Sequence, residues 1–422
     1  MIKTLKINNL SKIVFAAGFV LFAIFLVVEL VYVISLLLGV SAGVLLGLAT
    51  ALKSLNVFAS PISTLAFIIF ITLIILIQVS KKANTKAVLF NIAFIFLAVG
   101  IFETYLQNEQ IKNSAVAAMN SVKVDAPVGF WQTDEFIGPV PGKGKAYPIT
   151  SHYGKELLYD VTYTIDEDGL RVAPPFNETP DSESIVFFGC SVTFGYGLED
   201  YQAFPYILGE KVKDQYKIYN FAFGGYGPHH MLAALDHGFA KKVIDVKPKL
   251  VIFTAIPDHL RRVVNNTSWG ARDPKYILEN GKAVYAGHFD DDQSVLSTVR
   301  RKIEQSLIFE RFFKKQSQDE SIDLFTAIVT SSRDRVAELY PNAKFIVIFW
   351  DDVVQTELCD KMVKGLTDKG IEVNHILDIL PDYERDWSKY QIRYPMEPHP
   401  NYDANKYVAN YIYKNIVNSS KN

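Results

Sequence analysis

The chain has little cysteine and little net charge, and each scarcity closes off a class of explanation. Two cysteines in 422 residues, Cys190 and Cys359, cannot build a disulfide framework. A formal net charge of −2 lacks the basic excess of a nucleic-acid-binding protein, so nucleic acid is not an expected partner. Neither an internal repeat nor a low-complexity tract is evident. The third scarcity is local. Residues 13 to 106 are almost wholly apolar, whereas the remainder has the mixed composition of a soluble domain.

Within the apolar region, Ile13–Leu38, Ile62–Val79 and Ala87–Leu106 are each long enough to cross a bilayer. The segment Gly39–Leu52 fits an extension of the first helix, an interfacial stretch or a further span. Lys3, Lys6 and Lys12 precede the first span, and Lys81, Lys82 and Lys86 separate the last two. Three spans put both lysine clusters on the cytoplasmic side, as the positive-inside rule prefers, whereas four would move the second cluster out. Residues 1–107 are therefore expected to be a multi-pass anchor of three transmembrane helices in the cell membrane. Everything after Gln107 would then lie on the extracytoplasmic, periplasmic side. Glu29, within the first span, either marks a functional site or, near one end, faces another helix or a water-filled crevice. The apolar run is too long for a cleaved signal peptide, and no small-residue cleavage site ends it.

Residues 108–180 read as a linker and lead-in with a β-hairpin over Leu157–Val172, turning at Asp168-Gly169. Residues 181–422 alternate strands and helices. Strands are predicted at Ser184–Phe188, Lys217–Phe221, Leu250–Ala255 and Lys344–Trp350. Helices are predicted at Gln202–Val212, His229–Val243, Leu324–Leu339, Thr356–Lys369 and Asp403–Val417. Such alternation implies a mainly parallel sheet covered on both faces. An insertion at about 263–316 stands outside it, with a second hairpin centred on Asn280-Gly281 and a basic helix over Thr298–Lys315. That helix suits a solvated face, a contact with lipid head groups, or a cap on a cleft.

The segment Ile185–Gly197 carries the most chemical information. It reads as a short buried strand that breaks at Gly189 and presents Ser191 on a tight turn, where a glycine-rich stretch leads into a helix. Ligands bind open α/β sheets at the carboxyl ends of their strands, so a serine there stands where a nucleophile would go. The other use of such a serine is to cap a helix. Cys190 is a second candidate nucleophile, but neighbours on an extended turn point opposite ways, which favours the serine. Far downstream, Glu397-Pro398-His399-Pro400 has flanking prolines that favour an extended backbone. Residues two apart then share a face, so Glu397 can reach one ring nitrogen of His399 while the other meets Ser191. His229 and His230, at the start of a predicted helix, are expected to line or cap the cleft. No matching ligand pattern accompanies them, and neither a metal nor an organic cofactor is expected.

These blocks, in this order, resemble the SGNH (GDSL-like) hydrolase superfamily across roughly residues 184 to 417. The resemblance implies a flavodoxin-like three-layer α/β/α sandwich, here preceded by transmembrane helices. Gly189-Cys190-Ser191 matches the family's first block, which implies that Ser191 is the nucleophile and that its N–H contributes to an oxyanion hole. The second block is Asn220–Pro228, and by resemblance Gly225 supplies the second oxyanion N–H. The third departs from the pattern: Ala255-Ile256-Pro257-Asp258 replaces Gly-x-Asn-Asp, and proline cannot stand in for the asparagine donor. Asp258, His259 and Arg262 are candidates for substrate or oxyanion contacts in its place, or else form a structural Asp–Arg pairing. Glu397 and His399 match the fourth block, with glutamate where many members carry aspartate. The activity implied is that of a membrane-anchored serine esterase or O-acyltransferase using a Ser191–His399–Glu397 triad. Its substrate would be an acyl ester of an envelope glycan or of a lipid. The alternative is a catalytically degenerate relative that binds glycan or protein partners.

Overall fold

A computed structural model of the chain describes residues 61–112, 122–267, 269–291, 294, 303 and 306–418. The first predicted span, Glu29 within it, and Gly39–Leu52 lie outside the described residues. The chain divides into two compact units: residues 1–112 with 299–312, and residues 113–298 with 313–422.

In the first unit, Pro61–Val79 and Ala83–Lys112 are helices packed on each other. Gly100 sits where any Cβ would press on the Phe67 ring, 2.9 Å from its Cε2, so a small residue lets the two backbones approach. Ala83–Gln107 is long and apolar enough to cross a membrane, by length and composition, and Ile62–Ile74 is a shorter apolar stretch. Phe90, Phe94, Ile95 and Ile101 stand exposed along the longer helix.

The second unit is built on five parallel strands: β1 (Glu183–Phe188), β2 (Tyr216–Asn220), β3 (Pro248–Ala255), β4 (Lys344–Phe349) and β5 (Glu372–His375). Their order across the sheet is β2-β1-β3-β4-β5, all parallel, which is the flavodoxin-like order. Side chains alternate between two cores along each strand, as a pleat buried on both sides requires. Ile185, Phe187, Ile252, Ile346 and Ile348 pack on one face with Phe204, Leu208, Val408 and Ile412. Val186, Phe188, Val251, Phe253 and Val347 pack on the other with Met231, Leu232, Phe325, Ile328 and Met362. The result is a three-layer α/β/α arrangement.

Four strands lie within two residues of their predicted bounds. β5 was not predicted. The predicted helix His229–Val243 is two helices, Pro228–Asp236 and Phe239–Val243, because Gly238 turns left-handed between them. Leu307–Leu339 is one helix, joining parts of two segments that the sequence suggested were separate. The lead-in holds more structure than a single hairpin. Lys145–Tyr153 pairs antiparallel with Glu156–Ile165 and with Val122–Asp125, turning at Gly154. Asp168-Gly169 instead closes a single bridge between Ile165 and Arg171. The hairpin Pro274–Glu279 with Lys282–His288 turns at Asn280-Gly281, both at positive φ as a tight two-residue hairpin turn needs.

Candidate active site

Ser191 stands just past the carboxyl end of β1 as the first residue of the one-turn helix Ser191–Phe194. A first-turn N–H has no partner within its own helix, so it is available to a ligand. Gly189 makes the turn possible, because a Cβ there would overlap the Thr193 hydroxyl. Cys190 is fully buried in the core, and its thiol lies against the Arg262 guanidinium. Ser191 itself is 7% exposed.

His399 arrives from the strand Glu397–Pro400, which pairs with Gln391–Arg393. Asn401 ends that strand and caps the helix Tyr402–Tyr411, its side chain accepting the Ala404 N–H at 3.1 Å. His399 Nε2 lies 2.9 Å from Ser191 Oγ, and His399 Nδ1 is hydrogen-bonded to Glu397 Oε1. Glu397, 4% exposed, can only accept when ionised. The proton therefore sits on Nδ1, leaving Nε2 to accept from the serine. Serine, imidazole and carboxylate form one chain of contacts, with the histidine side chain 26% exposed. Tyr196 packs its ring 4.9 Å from that of His399. Burial raises the Tyr196 phenol above its usual range, and the Glu397 charge adds to this.

Gly225 is the other expected oxyanion donor, in the loop after β2. Its φ of +85° is a left-handed conformation that glycine adopts freely. Asn220 ends β2 and ties this loop to the serine turn, donating to the Thr193 carbonyl at 3.3 Å and accepting the Ala222 N–H at 3.2 Å. Two half-exposed tryptophans flank the glycines. The Trp131 ring lies 3.5 Å from where a Cβ on Gly224 would stand, and the Trp269 indole 3.2 Å from one on Gly225.

The third-block residues are occupied with one another. Asp258 accepts from Arg261 Nε at 2.7 Å and from Arg262 Nε at 2.9 Å. Burial works against the charged carboxylate, but the two guanidiniums outweigh it and hold Asp258 below its usual range. Arg262 also donates to the Tyr226 carbonyl at 2.6 Å, which fastens this turn to the Gly225 loop. His259 is wholly buried, its Nδ1 accepting the Ile256 N–H at 3.4 Å, and burial pushes its pKa well down. A ring with no exposed surface cannot touch substrate. Asp258 and Arg262 have the geometry of the structural pairing.

Sequence reasoning missed Arg171. This side chain is almost fully buried, stacked 4.4 Å over the Tyr163 ring and 4.6 Å over that of Phe194. It donates to the carbonyls of Phe194, Gly195 and Leu198 at 2.7, 2.8 and 2.7 Å, and to Asp200 at 3.1 Å. The guanidinium thus gives a donor to the Phe194 and Gly195 carbonyls at the C-terminal end of the one-turn serine helix, and to Leu198 beyond it. Trp131, Trp269 and the Asn220 contacts also went unforeseen, because each acts through partners distant in sequence.

No protein-family model and no curated protein matches the sequence. Several solved structures are similar to it. The psychrotrophic esterase EstA from Pseudoalteromonas sp. is 14% identical, with a TM-score of 0.32 over 57% of this chain and all of the other. A lipase from a goat rumen metagenome is 12% identical, with a TM-score of 0.34 over 55% of this chain and 96% of the other. An acetyl xylan esterase from Butyrivibrio proteoclasticus is 10% identical, with a TM-score of 0.32 over 58% and 66%. Likeness at this level assigns no activity, which must be argued from the residues themselves.

Proposed function

We propose that the chain is a membrane-anchored serine esterase or O-acyltransferase of the SGNH kind, acting through Ser191, His399 and Glu397. One observation carries the reading: a single imidazole bridges a serine hydroxyl and a buried glutamate. His399 Nε2 takes the hydroxyl proton as Ser191 Oγ bonds to the ester carbonyl carbon. The carbonyl electrons move to oxygen, where the Ser191 and Gly225 N–H groups stabilise the developing charge. Collapse expels the alcohol, which takes the proton from His399, and leaves an acyl-serine. Water or a sugar hydroxyl then repeats the sequence in reverse. Glu397 accepts from Nδ1, fixing the tautomer and steadying the imidazolium. Arg262, held by Asp258, ties the third-block turn to the Gly225 loop through the Tyr226 carbonyl.

Acyl esters of envelope glycans are the favoured substrates, since Trp131 and Trp269 offer flat apolar faces beside the glycine loop for a sugar ring. Lipid esters are the second class. The apolar side chains exposed along Ala83–Lys112 support a bilayer anchor. Lys81, Lys82 and Lys86 lie at the turn before and within its first residues, which favours a cytoplasmic turn and an external hydrolase domain.

Detergent-solubilised full-length protein incubated with a fluorophosphonate probe should label covalently, and Ser191→Ala should not. Release of acyl groups from candidate envelope polymers should likewise vanish in His399→Ala. Well-folded wild type that neither labels nor releases acyl groups would sink the proposal and favour a binding module.

A further inference from the structure

Two N–H groups, those of Ser191 and Gly225, face the developing charge in the proposed mechanism, and the side chains of the turn after β3 add no third. β3 lies beside β1 in the sheet, so its carboxyl end adjoins that of the serine strand. Yet Pro257 has no N–H, and Arg261 and Arg262 are engaged by Asp258. His259 is wholly buried. One further donor stands at the Gly225 loop. Trp269 is 51% exposed, and its atoms nearest Gly225 are Nε1 and Cδ1, at 3.2 and 3.4 Å from where a Cβ on that glycine would stand. The indole therefore meets the loop with its pyrrole edge, the edge that carries the N–H. Trp131 differs, since it approaches Gly224 through Cη2, on the benzo ring. Among the described residues, no hydrogen bond takes the Trp269 N–H.

The distances allow one oxygen to take both N–H groups. A Cβ stands about 2.5 Å from its own backbone nitrogen, so Trp269 Nε1 is within roughly 5.7 Å of the Gly225 nitrogen. Two donors that each lie about 2.9 Å from a shared oxygen can stand as much as roughly 5.8 Å apart. We propose that the Trp269 indole N–H is a further oxyanion donor, hydrogen-bonding the same oxygen as the Gly225 N–H and keeping its own proton. The assignment rests on the esterase reading and deepens it, for it makes the insertion the source of a catalytic residue. Two features hold the indole in place. Gly270, next in the chain, is buried and donates its N–H to the Thr267 hydroxyl at 3.1 Å. A Cβ there would lie 2.8 Å from Asn265 Oδ1, from Thr267 Oγ1 and from Asp273 Oδ2, so this turn is closely packed. His230 then ties the segment to the helix that follows the Gly225 loop. Its Nδ1 accepts the Gly227 N–H at 3.1 Å, which leaves the proton on Nε2, facing Asp273 Oδ1 at 3.4 Å. Both His230 and Asp273 are buried. A donor held in advance need not reorganise when charge develops.

Full-length protein in detergent, assayed on para-nitrophenyl acetate, separates this role from sugar stacking, because that ester carries no sugar. Trp269→Phe keeps an aromatic face and removes the N–H. Its kcat should fall by about 10²-fold with KM little changed, and fluorophosphonate labelling of Ser191 should slow alongside. Replacing Trp269 with benzothienylalanine, which carries sulfur where the indole has N–H, should give the same loss in nearly the same shape. That variant decides the matter if Trp269→Phe misfolds. The assignment is overturned if a folded variant keeps kcat within about threefold of a wild type that labels and cleaves the ester. It is equally overturned if KM alone rises, as the loss of a mere platform would cause. Wild type that neither labels nor cleaves sinks the esterase reading and the donor with it, so the two failures are told apart.

Discussion

Glu397 touches no substrate in the proposed mechanism, yet it decides which ring nitrogen of His399 carries the proton. Glu397→Gln keeps the shape but offers an amide that can donate to the ring and stabilise the wrong tautomer. We expect kcat to fall by about 10³–10⁴-fold with KM little changed, measured on an activated ester. Gly225→Ala combines two costs: a left-handed backbone that alanine resists by about 1–2 kcal/mol, and a methyl 3.2 Å from the Trp269 indole. Turning that N–H away should cost roughly 10²-fold or more in kcat, read in the same assay. Residues of this kind were legible when local geometry dictated them. Extended backbone between prolines put Glu397 and His399 on one face, and a broken strand presented Ser191. Arg171 was not legible, since its significance lies in carbonyls that only the folded chain brings near.

Among the elements, the one-turn helix Ser191–Phe194 is too short to hold itself, and Arg171 is what fixes it. Arg171→Met should preserve much of the volume while taking the guanidinium from the Phe194 and Leu198 carbonyls and from its ion pair with Asp200. We expect roughly 3–5 kcal/mol of lost stability by denaturant titration, with labelling of Ser191 slowed in whatever remains folded. Strands β1, β3 and β4 were readable because burial on both faces writes a nearly unbroken apolar run. β5, Glu372–His375, was not, being a short edge strand of mostly polar residues that are only partly buried. The strand Lys145–Tyr153 hid for another reason. It contains Pro148 and follows a stretch rich in proline and glycine, so it read as linker, although Tyr147 and Ile149 are core residues.

Taken as a whole, the molecule holds the buried His259 uncharged, and this bears on how it answers to acid. Burial holds His259 well below its ordinary 6.5, and the nearby Arg262 charge presses the same way. An unfolded chain takes up that proton near pH 6.5 while the folded one refuses it. The contribution is therefore complete above that pH and drains as pH falls, at up to about 1.4 kcal/mol per unit. Denaturation midpoints should drop between pH 7.5 and pH 5.5, and His259→Gln should flatten the slope. The separation of the reacting pair along the chain has a consequence of its own. Ser191 and His399 are 208 residues apart, so the ribosome delivers the serine roughly 10–40 s before the imidazole, at about 5–20 residues per second. For that interval the nascent polypeptide carries a safety catch, and it is armed only when its final strand docks.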